Sequence, residues 1–144
     1  MTTIVATKKA MYADSKVTVS DGLSFPTHKI FRLRGSLIGT AGNNPGIEKF
    51  MEWFKGNQKK PIELAKTDSF QILVLNHNGL FCFGNSSFPD QVLRDWHAIG
   101  EGAGVAMGAM AAGADPKRAV EIACELCNGS GAPVQVYELG KRGK

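Results

Sequence analysis

The chain opens Met1-Thr2-Thr3. Once the methionine is removed, which a small second residue such as Thr2 permits, the new first residue carries a hydroxyl and an α-amine together. An α-amine titrates near 7.7 to 8.0 when unperturbed, so at neutral pH much of it is free to accept a proton from its own hydroxyl. One residue then serves as nucleophile and as base. Spacing alone does not separate this from the many chains that begin Met-Thr for no chemical reason. Other reactive residue types make weaker patterns. Cys124-Glu125-Leu126-Cys127 has C-x-x-C spacing, but it lies at a helix end with no second pair and no adjacent histidine. A zinc site needs about four ligands and only Cys82 remains, so the pair reads as two buried helix thiols, and no metal or cofactor is expected. His28, His77 and His97 fall in no Ser-His-Asp order, and the glycine-rich run over 100–108 lacks the strand and spacing of a phosphate loop. Trp53 and Trp96 read as packing or subunit-contact residues.

The elements that must position Thr2 follow from patterning. Strands are expected over 4–7 and 11–13, closed into a tight hairpin by Lys8, Lys9 and Ala10, and over 16–20, where Val17 and Val19 share a face before a turn at Asp21-Gly22. Residues 29–34 and 36–40 read as a second hairpin turning at Gly35. Its apolar residues fall on both faces, as in a sheet covered on both sides. A helix over 45–55 has Asn44 as N-cap, Pro45 at its first position, Gly56 beyond its end, and Ile47, Phe50, Met51 and Phe54 as an i, i+3, i+4, i+7 stripe. Residues 62–65 are a short helical or irregular piece.

Strands return over 70–75 and 80–83 through Asn78-Gly79, a strong hairpin signal. A linker over 86–99 leads to two helices, a small-residue one over 102–112 and another over 116–127 capped by Asp115. A last strand spans 134–139. The order of strands, helix, strands, two helices and strand predicts an α+β fold, with two packed antiparallel sheets and helices outside.

Composition bounds the class. The 144 residues are 43% hydrophobic and 21% charged, the makeup of one globular domain and not of a disordered chain. The longest mostly apolar run, 102–113, is too short to cross a bilayer, so no membrane role is expected. Three cysteines make no even disulfide framework, which fits a reducing, cytoplasmic setting. Lys141, Arg142 and Lys144 supply three of the four net positive charges. The domain is therefore read as 1–140, with 141–144 as a basic, solvated tail. The nearly neutral body argues against a nucleic-acid partner.

A resemblance adds to this reading. The runs TTIVAT, YADSK, HKIFRL and GTAG (starting at Thr2, Tyr12, His28 and Gly39), and later AIGEGAGVAMGAMAAG and NGSGAPVQVYEL (starting at Ala98 and Asn128), resemble proteasome β subunits and the HslV peptidase. These belong to the N-terminal nucleophile hydrolases. The resemblance implies a four-layer αββα sandwich and a self-assembling threonine peptidase, with a homo-oligomeric ring, unfolded peptide substrates and an ATP-dependent unfoldase as partners. It implies Thr2 as nucleophile, Lys29 as the active-site lysine oriented by Asp14, Gly42 as the glycine whose N–H meets the oxyanion, and Ser130 as a serine that helps hold the terminal amine. The middle of the chain is shorter than in that family. Glu101 stands where the family usually has serine, and Cys127 where it usually has aspartate. A non-catalytic protein that keeps the fold as a structural or assembly component is the alternative reading.

Overall fold

A computed structural model describes residues 2–19, 21–56 and 58–140. Met1, on whose removal a Thr2 nucleophile depends, and the tail 141–144 lie outside the described residues, as do Ser20 of the strand expected over 16–20 and Asn57 beyond the first helix. The described part holds three antiparallel sheets and three helices.

The first sheet is built on a hairpin of β1 (Thr3–Thr7) and β2 (Ala10–Ala13), with Ile4 opposite Ala13 and Ala6 opposite Met11. Its turn is closed by Thr7, whose hydroxyl oxygen accepts from the amides of Lys9 and Ala10, both at 3.1 Å. A local side-chain acceptor of this kind substitutes for the missing ladder bonds. Two further strands complete the sheet from far along the chain. β10 (Trp96–Gly100) pairs with β1 and β11 (Gln135–Glu138) with β2, giving the order β10-β1-β2-β11. The expected linker over 86–99 is thus not a linker. It holds β9 (Asp90–Gln91) and all of β10 but its last residue.

The five-stranded sheet runs β5-β6-β7-β8-β9. β5 (Ile30–Leu33) and β6 (Ser36–Gly42) form the expected hairpin. Arg34 and Gly35 both take positive φ, 51° and 77°, the backbone of a two-residue turn that follows strand twist. β7 (Phe70–Asn76) and β8 (Gly79–Gly84) also pair as expected, but Asn76 faces Gly79, so the turn is His77-Asn78, one residue earlier than the Asn-Gly signal. The Asn76 carboxamide oxygen accepts from the Asn78 amide at 2.9 Å and fixes that register.

The third sheet, a two-stranded ribbon of β3 (Lys16–Thr18) and β4 (Ser24–Pro26), corrects the expectation of two sheets. Its second strand is three residues long, ends in proline and is exposed throughout, so it carries no burial pattern for a sequence reading to detect.

Helix α1 (Asn44–Lys55) is capped by Asn43 and not by Asn44. The Asn43 carboxamide oxygen accepts from Gly46 N at 2.9 Å and Ser69 N at 3.2 Å, while its nitrogen donates to Thr67 O at 2.5 Å. Asn43 therefore caps the helix and ties down the segment before β7 at once. Residues 62–65 form no helix. Ile62 and Leu64 alternate into the cluster around Phe50. α2 (Ala103–Ala111) and α3 (Pro116–Leu126) follow in tandem, with Asp115 capping α3 through Arg118 N at 2.8 Å as expected.

Three apolar clusters tie these elements together. Ile4, Met11 and Ile99 of the first sheet meet Leu37, Leu73 and Leu80 of the five-stranded sheet. The far side of the five-stranded sheet packs Ile38, Ile72 and Phe83 against Phe50 of α1. The far side of the first sheet packs Val5 and Ala98 against Ala106 of α2 and Val120 of α3. No helix among the described residues is long and apolar enough to cross a membrane.

Candidate active site

Thr2 immediately precedes β1, where Thr3 pairs with Gly100, so it sits where central strand β1 begins and edge strand β10 ends. Its hydroxyl oxygen lies 3.2 Å from Lys29 Nζ. Lys29, just before β5, is fixed at its backbone by its amide donating to Gln135 Oε1 at 3.2 Å and its carbonyl accepting from Thr40 N at 3.0 Å. Nζ donates to both oxygens of Asp14, each at 3.0 Å.

This is not a surface ion pair. Lys29 is 5% exposed and Asp14 is fully buried. Charges taken out of water need every lone pair satisfied, and Asp14 shows how that is met. Beyond Lys29, its oxygens accept from Thr3 N at 2.9 Å, Gly131 N at 3.0 Å and Lys16 N at 3.2 Å. One carboxylate thereby gathers β1, the start of β3 and the loop before β11 around the lysine. Burial pulls the Lys29 ammonium below its ordinary value, with Asp14 opposing.

The remaining expected residues are placed as follows. Gly42 ends β6 at the cleft beside Thr2, with φ of 131°, and a Cβ there would run into the Ser69 carbonyl. Only glycine suits that backbone and that approach. The Ser130 hydroxyl pairs with Thr3 Oγ1 at 2.7 Å, one residue along from Thr2. Glu101 is exposed and lines the same cleft as Thr2. Cys127 is the C-cap that follows α3, with its carbonyl accepting from Ser130 N at 3.2 Å. It is Cys124, one turn earlier, that lies within electrostatic reach of Asp14 and Lys29, and burial first, then Asp14, pushes its thiol up to about 11. A thiol so shifted is a poor nucleophile. The C-x-x-C cysteines are free and half-buried, and no cluster of metal-ligating side chains occurs among the described residues.

Two residues at the site were not foreseen. The Gln135 carboxamide holds Lys29 N and donates to Ser15 Oγ at 2.9 Å and Thr27 O at 2.5 Å, so it braces the lysine from the far edge of the sheet. Gln71 Oε1 accepts from Gly100 N at 3.0 Å and links the two sheets beside Thr2. The available signal was a lone polar residue in an otherwise apolar strand, FQILVL for Gln71. The cleft itself measures about 610 Å³ and is walled by Thr2, Gly42, Asn43, Ser69, Gln71 and Glu101, among others.

No family model and no curated protein matches the sequence. Solved structures do match in shape along nearly the whole chain. Thiobacillus denitrificans BPH is similar with a TM-score of 0.71 and 23% identity, over 96% of this chain and 98% of that one. Eukaryotic HslV from Trypanosoma brucei gives 0.68 and 18% over 94% and 98%. An Anbu (Gly-1) mutant from Hyphomicrobium sp. strain MC1 gives 0.69 and 12% over 96% and 82%. At these identities the likeness is one of fold, and the fold is the one this chain shares with BPH, HslV and Anbu.

Proposed function

We propose that the chain is a threonine-type peptidase whose nucleophile is Thr2 once its α-amine is free. The observation that carries this reading is the contact between Thr2 Oγ1 and the Lys29 ammonium, itself held by buried Asp14. Thr2 Oγ attacks the peptide carbonyl carbon while its proton passes to the Thr2 α-amine. The Lys29 charge favours the alkoxide and disfavours protonation of the nearby amine, and the N–H of Gly42 receives the oxyanion. Collapse breaks the C–N bond, the α-ammonium returns its proton to the leaving amine, and an ester remains on Thr2. Water, deprotonated by the same amine, attacks that ester and releases the acid.

Burying a lysine with its head on a hydroxyl costs several kcal/mol before compensation, a cost that supports the catalytic reading over a purely structural one. The three apolar clusters support the order α1, five-stranded sheet, four-stranded sheet, then α2 and α3, a four-layer αββα sandwich. A homo-oligomeric ring, served by an ATP-dependent unfoldase in the cytoplasm, is the assembly this reading implies.

The pH profile of peptide hydrolysis tests it. Lys29 acts as an ammonium whose folded-state value lies below the ordinary 10.5, because burial disfavours the charge. Turnover should therefore fall on the alkaline side before pH 10.5, as Lys29 loses its proton. Stability runs the other way. Between the lowered folded value and 10.5 the unfolded chain binds the proton more readily, so this group's penalty on folding is relieved as pH rises. An alkaline limb of kcat/KM that first appears above 10.5 would count against Lys29 in this role.

Gly100 offers a second check. Its φ is 94°, and a Cβ there would collide with the Thr2 carbonyl oxygen. Gly100→Ala should displace Thr2 from Lys29, and a misplacement of about 1 Å costs on the order of 100-fold in turnover. Unchanged kcat in a folded Gly100→Ala protein would contradict the placement of Thr2.

A further inference from the structure

Glu101 stands alone between two glycines that are both pressed against the nucleophile's strand. A Cβ on Gly100 would strike the Thr2 carbonyl, and one on Gly102 would strike the Thr3 hydroxyl. Gly102 N also donates to Thr2 O at 3.4 Å, and Gly100 N is held by Gln71. The segment 100–102 is thus clamped by backbone contacts, and its one side chain is left on the cleft. Of the residues lining that cleft, Asn43, Ser69, Gln71 and Asn85 are polar but neutral, and Glu101 is the one with a charge. Its carboxylate is exposed and has no hydrogen-bond or ion-pair partner among the described residues. An exposed carboxylate without a partner, carried on clamped backbone between the two glycines that abut Thr2 and Thr3, gives this wall of the cleft its negative charge.

We propose that Glu101 is a specificity-determining residue that recruits peptides carrying a lysine or arginine side chain next to the scissile bond and disfavours acidic ones. This rests on the peptidase reading of the same cleft. The interaction is between solvated charges, so each sign contributes up to about fivefold in affinity and weakens with salt.

The test is binding, so that it does not depend on turnover. Fluorescent unstructured peptides identical except for Lys, Gln or Glu at one position, placed in turn at each of the central residues, are titrated against the Thr2→Ala chain at low and high salt. Each affinity is normalised to the Gln peptide. The expected result is Lys over Glu by about tenfold at the best position, a preference lost in Glu101→Gln, inverted in Glu101→Lys and reduced at high salt. Equal affinities for the three peptides in the Thr2→Ala chain, or a Lys preference that survives Glu101→Gln, would overturn the proposal. Hydrolysis of the Gln peptide by the chain with intact Thr2 is scored separately. Its absence would remove the peptidase reading, while the charge preference in binding would stand or fall by itself.

Discussion

Thr2→Ala is expected to lower peptide hydrolysis by about 10⁴-fold or more while leaving the thermal transition in place. The size follows from the role, since losing a nucleophile that works with its base as a unit leaves only binding and oxyanion stabilisation. The retained fold follows from the surroundings. The Thr2 hydroxyl is half-buried, and β1 is held by its ladder to β10 and β2, which starts at Thr3. Lys29→Ala should lose less, on the order of 10²- to 10³-fold, because it removes charge stabilisation and not the attacking atom. Lys29→Arg should not restore it, since a planar guanidinium presents a fork and not a point charge to Thr2 Oγ1 and both Asp14 oxygens. Initial rates on an unstructured peptide, with circular dichroism melts of the same samples, separate these outcomes. A Thr2→Ala protein that retains more than a tenth of the parent rate would exclude Thr2 as nucleophile.

Asp14→Ala should have the largest effect on stability, a loss of about 3–5 kcal/mol, the range for stripping one partner from a buried ion pair. The substitution strands the Lys29 charge and also the amides of Thr3, Lys16 and Gly131, all of which Asp14 accepts. For a domain of this length the melting temperature should fall by roughly 6–20 °C. Adding Lys29→Met to Asp14→Ala should recover part of that loss, because the uncompensated charge leaves with it. Urea unfolding of the two single variants and the double variant measures the coupling. A loss under about 1 kcal/mol in Asp14→Ala would mean a pair that behaves as solvated, contrary to its burial.

The parts of the fold that could be read from sequence are those whose signal is local. Arg34-Gly35 announced a turn because positive φ favours glycine, and Asp115 announced α3 because a cap needs an acceptor beside a helix start. The cap of α1 falls on Asn43 and not on the expected Asn44 because the Asn43 side chain also bonds Thr67 and Ser69, residues more than twenty positions away. β10 escaped for the same reason. WHAIG shows little alternation of its own and becomes a strand by pairing with β1, some ninety residues earlier.

The candidate site was legible in a different way. The resemblance implied Thr2, Asp14 and Lys29, and the fold brings all three within hydrogen-bonding distance, yet nothing local in YADSK or HKIF required Asp14 to be buried. Gln71 and Gln135 could be singled out only once two sheets were packed, because their bonds cross from one element to another. Ser130 reaches Thr3 and not Thr2 directly in this structure, a distinction of one residue that motif matching does not resolve.

The most direct test compares two preparations of one chain, one with Thr2 as a free first residue and the other with that amine acetylated, on the same unstructured peptide. Identity of the first residue is verified by intact mass. A Thr2 nucleophile served by its own amine requires turnover from the free-amine chain and loss of at least 10³-fold on acetylation, since the base is then gone while Lys29, Asp14 and the cleft remain. Equal turnover from the two preparations would contradict it.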